Sequence, residues 1–228
     1  MLTYTDSDCE QLMQKIDGKL DGLLQFWRTD NDWLQHVANV GGDTFYQPHK
    51  VLDLGCGNGQ FLHAYKMVYP EAECEGINIF GSQIARCRDW TLELQYGDIT
   101  KSEMWPSSLY QKIFCHYTLG HIEDTEWEQL FDAVFDHLEP GGEFIIWDIC
   151  QKHVERDELY GYRLHPLCEV FRVLKESGFS VTFNAGHPTW YLHEDLFHLL
   201  DRTEIDLIRR YTCPVLFVAE RMCNGNSV

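Results

Sequence analysis

Hydrophobic positions change period along this chain. Near the N-terminus Leu12, Ile16, Leu20, Leu23, Leu24 and Trp27 recur at helical spacing, followed by Trp33, Leu34 and Val37. Gly41-Gly42-Asp43 closes that section. From His49 onward, short apolar runs alternate with helix-period segments. Strands are predicted at His49–Leu54, Glu73–Ile79, Leu92–Tyr96, Lys112–Tyr117, Gly142–Ile149, Phe179–Asn184 and Val215–Ala219. Helices are predicted at Gly59–Tyr69, Ser82–Thr91, Thr125–Leu138 and Pro166–Ser177. Gly186–Tyr211 reads as a mostly helical insertion between the last two strands, opening near Trp190-Tyr191.

Strands alternating with helices imply an α/β fold with a mostly parallel sheet and helices on both faces. The expected architecture is one domain over residues 1–228. Residues 1–45 would form a helical lid, 46–150 the cofactor-binding core and 151–228 the substrate-side part.

One segment carries a ligand signature. Val51-Leu52-Asp53-Leu54-Gly55-Cys56-Gly57-Asn58-Gly59 runs from an apolar strand through a glycine-rich turn into a helix. Glycines let the backbone turn tightly and approach a ligand, and the helix start offers free N–H groups. The spacing is DxGxGxG, not the GxGxxG of dinucleotide sites. An acid two residues before the first glycine suits a ligand with hydroxyls and an ammonium group.

These residues resemble the first motif of the class I S-adenosylmethionine-dependent methyltransferases. The resemblance implies a doubly wound, Rossmann-like sheet of seven strands, the last one antiparallel. It assigns the amino-acid part of S-adenosylmethionine to Asp53, Gly55 and Gly57, with Cys56 inside the loop. It places Asp98 at the adenine amino group, with Ile99 against the ring, and His116 at the end of the fourth strand facing cofactor and substrate. Many members have an acid at position 78 for the ribose hydroxyls; here Asn78 stands there, beside Ile79.

The run from Gly76 to Gln83 is similar to methyltransferases that act on alkene carbons, in which the glutamine is suited to reach the cofactor. The Pro188–Tyr191 region is similar to geranyl-diphosphate C-methyltransferases. These likenesses imply C-methylation of an isoprenoid such as isopentenyl diphosphate; an O- or N-methyltransferase of another small metabolite is the alternative. His116, Tyr117, His121 and Glu123 are the catalytic candidates, histidine being suited to proton transfer near neutral pH. Trp27, Tyr46, Trp190 and Tyr191 are expected to cap the substrate, because aromatic faces stabilise cations. Arg156, Arg163 and His165 are expected to hold a phosphate, with room for a Mg²⁺ ion to bridge it.

Charge and cysteine content narrow the class. The formal net charge is −18, and no dense basic patch offsets it, which disfavours nucleic acid as partner. The nine cysteines show no metal-finger spacing, so no protein metal site is assigned. No apolar run reaches the roughly 20 residues of a membrane span, and no signal sequence opens the chain. A cytoplasmic enzyme with a small-molecule substrate is expected, and a homodimer is compatible with the sequence.

Overall fold

A computed structural model describes residues 50–87, 89, 91–151, 158–159, 162–185 and 212–222. The expected N-terminal lid and the helical insertion lie outside these residues, as do Trp27, Tyr46, Arg156, Trp190 and Tyr191.

The central sheet has the order β3-β2-β1-β4-β5-β10-β9. Its strands are β1 (Lys50–Leu54), β2 (Glu73–Asn78), β3 (Glu93–Tyr96), β4 (Tyr110–His116), β5 (Leu138–Gln151), β9 (Ser180–Ala185) and β10 (Thr212–Glu220). Strands β1 to β5 pair in parallel. Strand β10 lies antiparallel between β5 and β9. The doubly wound, mostly parallel sheet with an antiparallel last strand therefore matches the expectation. The path has seven strands. Three short strands were not anticipated: β6 (Glu158–Leu159), β7 (Tyr162–Arg163) and β8 (His165–Pro166), the last paired to the end of β5.

The near-continuous apolar strands follow from burial on both faces. Successive side chains of β1, β4 and β5 point to opposite sides of the sheet. Leu52, Leu54, Ile113, Cys115, Phe144 and Ile146 share one core cluster with Trp127, Leu130, Phe131 and Val134 of α3 (Trp127–His137) and Val170, Val173 and Leu174 of α4 (Leu167–Glu176). The alternate residues Val51, Phe114 and Ile145 pack with Phe61, Leu62, Ala64 and Tyr65 of α1 (Gln60–Val68) on the other face.

One helix is shorter than its pattern. The segment expected to be helical over Ser82–Thr91 is a single turn, α2 (Gly81–Ile84). Further on, a turn stands where the last helical residues were expected: Asp89 Oδ1 accepts the Thr91 backbone N–H at 2.9 Å and the Thr91 hydroxyl at 2.6 Å. An aspartate bonding the backbone two residues on replaces the helical hydrogen bond with a turn.

Candidate active site

The carboxyl ends of β1, β2, β3 and β4 converge on a cavity of about 710 Å³. In open parallel sheets ligands bind at this edge. The loop after β1 is folded by its glycines: Gly55, Gly57 and Gly59 have φ of 80°, 58° and 78°, a region that penalises any residue with a Cβ. Its first turn is tied to β2, with the Gly55 and Cys56 amides donating to the Ile77 carbonyl at 2.8 and 3.1 Å. A Cβ on Gly55 would sit 2.3 Å from Thr118 Oγ1. The loop and the end of β4 thus approach too closely for a side chain.

Beneath the loop, and not among the residues that line the cavity, lies Asp53, 3% exposed. Among the described residues no donor hydrogen-bonds its Oδ1; His116 Nδ1 stands 3.6 Å away. A buried carboxylate oxygen without a donor is costly, and an incoming ammonium or N–H group would relieve it. His116 itself is 8% exposed, with its ring 4.3 Å from Phe61 and 6.4 Å from Trp147.

The second wall begins at the end of β2. Asn78 donates from Nδ2 to Gln83 Oε1 at 2.9 Å and to the Phe80 carbonyl at 3.2 Å. Ile79 and Phe80 are 51% and 59% exposed and line the cavity together with Asp98 and Ile99. Exposed apolar groups beside an acceptor suit a planar heterocycle with an exocyclic amine. Asp98 accepts from the Thr100 amide and hydroxyl through Oδ1. Its Oδ2 takes no hydrogen bond from a described residue.

At the mouth are Tyr117, Thr118, His121 and Glu126. Tyr117 has φ 49°, and strain of this kind, of order 1–3 kcal/mol, gathers at functional sites. Its ring lies 5.7 Å from that of Trp147. His121 keeps an exposed surface yet lies in a concave mouth. Removal of water by the surrounding protein lowers its pKa below the ordinary 6.5, so the imidazole is neutral and able to accept a proton at neutral pH.

Residues 51–142 match the model of a family described as a methyltransferase domain. Over residues 51–142 this chain carries a methyltransferase domain. Phosphoethanolamine N-methyltransferase 1 of Arabidopsis thaliana is 30% identical over 224 residues, which cover 87% of this chain and 44% of that protein. The enzyme of the same name from Zea mays is 26% identical over 199 residues, covering 77% of this chain and 38% of that protein. The chain thus spans less than half the length of these curated relatives. Among solved structures, phosphoethanolamine N-methyltransferase 2 of Haemonchus contortus with phosphomonomethylethanolamine and S-adenosylhomocysteine superposes with TM-score 0.65 at 17% identity, covering 84% of this chain and 52% of that one. Geranyl diphosphate C-methyltransferase of Streptomyces coelicolor A3(2) gives 0.70 at 15% identity, covering 86% and 80%. At such identities the likeness is one of fold.

The methyltransferase domain brings Gly55, Gly57, Asn78, Ile79, Gln83, Asp98, Ile99, His116, Tyr117 and His121 to one cavity. Cys56 is a correction. Its side chain turns away from the cavity into the core, where a Cβ on Gly76 would meet its Sγ at 2.8 Å, and burial drives its pKa up. Glu123 and Arg163 are further corrections. Arg163 binds Glu123 through both guanidinium nitrogens at 2.8 Å each; this contact holds the Glu123 carboxyl below its ordinary pKa, and neither residue lines the cavity. His165 is 3% exposed, away from the cavity, against Trp127 and Asp124. The pattern-based reading missed Phe80, Arg86, Thr100 and Glu126, which all line the cavity. They sit beside the recognised motifs but share no spacing rule.

Among the described residues no group of three or more His, Cys, Asp or Glu side chains could hold a metal ion. No described helix is long and apolar enough to cross a membrane.

Proposed function

We propose that this protein transfers a methyl group from S-adenosylmethionine to a nitrogen of a small amine, with His121 accepting the proton. The observation that carries this reading is that the His121 imidazole lines the same cavity as the glycine loop and Asp98; exclusion of water lowers its pKa below the ordinary value and so favours the neutral form. When bound, S-adenosylmethionine supplies an electrophilic methyl group on a sulfonium.

The chain's own residues do the rest. The Gly57 and Asn58 amides fit the amino-acid end of the cofactor, since those of Gly55, Cys56 and Gly59 are bonded to backbone carbonyls, and Asp53 lies behind the turn. Asn78 fits the ribose hydroxyls: its Nδ2 is engaged with Gln83, leaving the carbonyl oxygen as an acceptor. Ile79, Ile99 and Asp98 fit the adenine. These contacts hold the sulfonium in line with the acceptor, which is the main requirement of the reaction. An ammonium cannot attack until it loses a proton, and neutral His121 can take one. Glu126 at the mouth and the net charge of −18 favour the approach of a cation.

The relatives named for phosphoethanolamine support the amine reading. Alkene methylation of a prenyl diphosphate is supported by a likeness of fold alone. The amine is therefore preferred.

Mass spectrometry of reactions containing S-adenosylmethionine tests the choice. The acceptor panel is phosphoethanolamine, simple amines, and isopentenyl and geranyl diphosphates with and without Mg²⁺. Products about 14 mass units heavier from amines alone support the reading (the mass of one CH₂). Methylated prenyl diphosphate with no methylated amine overturns it.

A further inference from the structure

The turn that carries His121 is held at one residue, Leu119, through its N–H and its C=O. The Leu119 N–H donates to Asp148 Oδ2 at 3.1 Å. The Leu119 carbonyl accepts from His165 Nε2 at 3.1 Å and from the Ile122 amide at 3.0 Å. Asp148 comes from β5 and His165 from β8, and they are 2% and 3% exposed. The His121 amide then closes the turn on the Thr118 carbonyl at 3.0 Å.

Neither buried side chain lines the cavity. Each is itself fixed. The other oxygen of Asp148 accepts the Ile149 amide at 2.6 Å. The His165 ring stands edge-on to Trp127 at 4.0 Å, and its Nδ1 lies 3.2 Å from Asp124 Oδ1. Arg163 bridges Asp124 and Glu123 on the outer side.

We propose that Asp148 and His165 are positioning residues that hold the two peptide groups flanking the Leu119 Cα, one through its N–H and the other through its C=O, and so set the place of the His121 imidazole in the cavity. The inference rests on His121 being the working base, but its geometry is independent of the acceptor. A buried amide and carbonyl must each find a partner; here the amide takes Asp148 from the adjacent strand β5, and the carbonyl takes His165 from β8 beside the Ile122 amide. Small displacements of a proton-accepting group cost rate steeply, which gives such a grip its use. The ion-paired surface group of Glu123, Asp124 and Arg163 supports His165 from outside.

The test reads the His121 ring directly, by NMR of the full chain, assigning its signals by their loss in His121→Gln. In His165→Gln the amide nitrogen reaches the place of Nε2, so the His121 signals should stay single and unshifted. In His165→Asn the amide reaches only as far as Nδ1, and Asp148→Asn sets an amide or a poorer acceptor against the Leu119 N–H. Both should shift or split the His121 signals while most other resonances hold. His121 signals in His165→Asn that superpose on the parent overturn the proposal. So does equal disturbance in His165→Asn and His165→Gln spread across the spectrum, which would mark a merely structural role. The base assignment fails separately: His121→Ala with unchanged turnover removes the base and leaves the NMR result standing.

Discussion

Asn78 and Gln83 are joined by a 2.9 Å hydrogen bond from Asn78 Nδ2 to Gln83 Oε1, across the turn between β2 and α2. This bond fixes which end of the Asn78 amide faces the cavity. The side-chain carbonyl is left to accept a hydroxyl, and the site answers the missing carboxylate with an oriented amide. Gln83→Ala should let Asn78 rotate. A neutral hydrogen bond is worth about 1 kcal/mol, so affinity for S-adenosylmethionine should fall about fivefold. Titration calorimetry checks this; unchanged affinity would mean that the pair does not serve the cofactor.

Gly55→Ala meets two obstacles at once. The backbone there has φ 80°, and the new Cβ would lie 2.3 Å from Thr118 Oγ1. Cofactor binding should be lost, and thermal stability should fall by about 1–3 kcal/mol. Thr118→Ala removes the two closest contacts, leaving its own Cβ at 3.1 Å, and does not relieve the strained φ, so the double variant should recover only part of the stability. Full recovery would show that crowding alone excludes a side chain.

His121 should leave its mark on the pH profile. Because water exclusion holds its pKa below 6.5, the rate should be flat around neutrality on this account. An acid limb in kcat/KM should appear only below pH 6.5, as the imidazole gains a proton. His121→Ala should abolish that limb and lower the rate roughly 100-fold or more. An acid limb that persists in the variant would assign it to another group.

His165 makes stability depend on pH. Burial lowers its pKa below 6.5, outweighing the Asp124 carboxylate that raises it. Below pH 6.5 the unfolded chain therefore binds a proton that the folded chain resists. Stability present above 6.5 is lost as the pH falls toward the folded-state value. Urea midpoints should drop between pH 7 and 5, and less steeply in His165→Gln. Equal slopes in the two proteins would place the titration elsewhere.

Arg221 closes the end of α3. Its Nη1 donates to the Phe135 carbonyl at 2.8 Å and to that of Leu138, and its guanidinium lies 4.8 Å from the Phe135 ring. Arg221→Ala should cost about 1.5–3 kcal/mol of stability, the range for hydrogen bonds to charged groups. Cofactor affinity should not change, because Arg221 bonds to Gly141 and Gly142 near the start of β5, at the opposite end from the carboxyl edge that holds the cavity. Chemical denaturation and calorimetry read the two effects apart.

What could be read from the chain itself was local. The strand alternation, the glycine turn and the helices α1, α3 and α4 follow from near neighbours, because side-chain period and the φ tolerance of glycine act within a few residues. The motif from Asp53 to Gly59 and the acid at Asp98 were legible for the same reason: a loop of a few residues builds most of the contact by itself. Helix α2 shows the limit even of local reading, since it stops at Ile84 although the pattern continued, and Asp89 forms a turn where the last helical residues were expected.

The roles of the charged residues were decided by tertiary structure alone. Arg163 and Glu123 are 40 residues apart, and His165 and Leu119 are 46 apart. In the sequence Arg163 and His165 form part of a basic cluster that could hold a phosphate, and Glu123 is an acid near a histidine. Folding brings β7 and β8 against the loop after β4, and the attraction between opposite charges pairs the arginine with the glutamate. The imidazole, excluded from water, is satisfied by a backbone carbonyl. Which partner a charged or buried group finds depends on the elements the fold brings beside it, and no spacing along the chain records that.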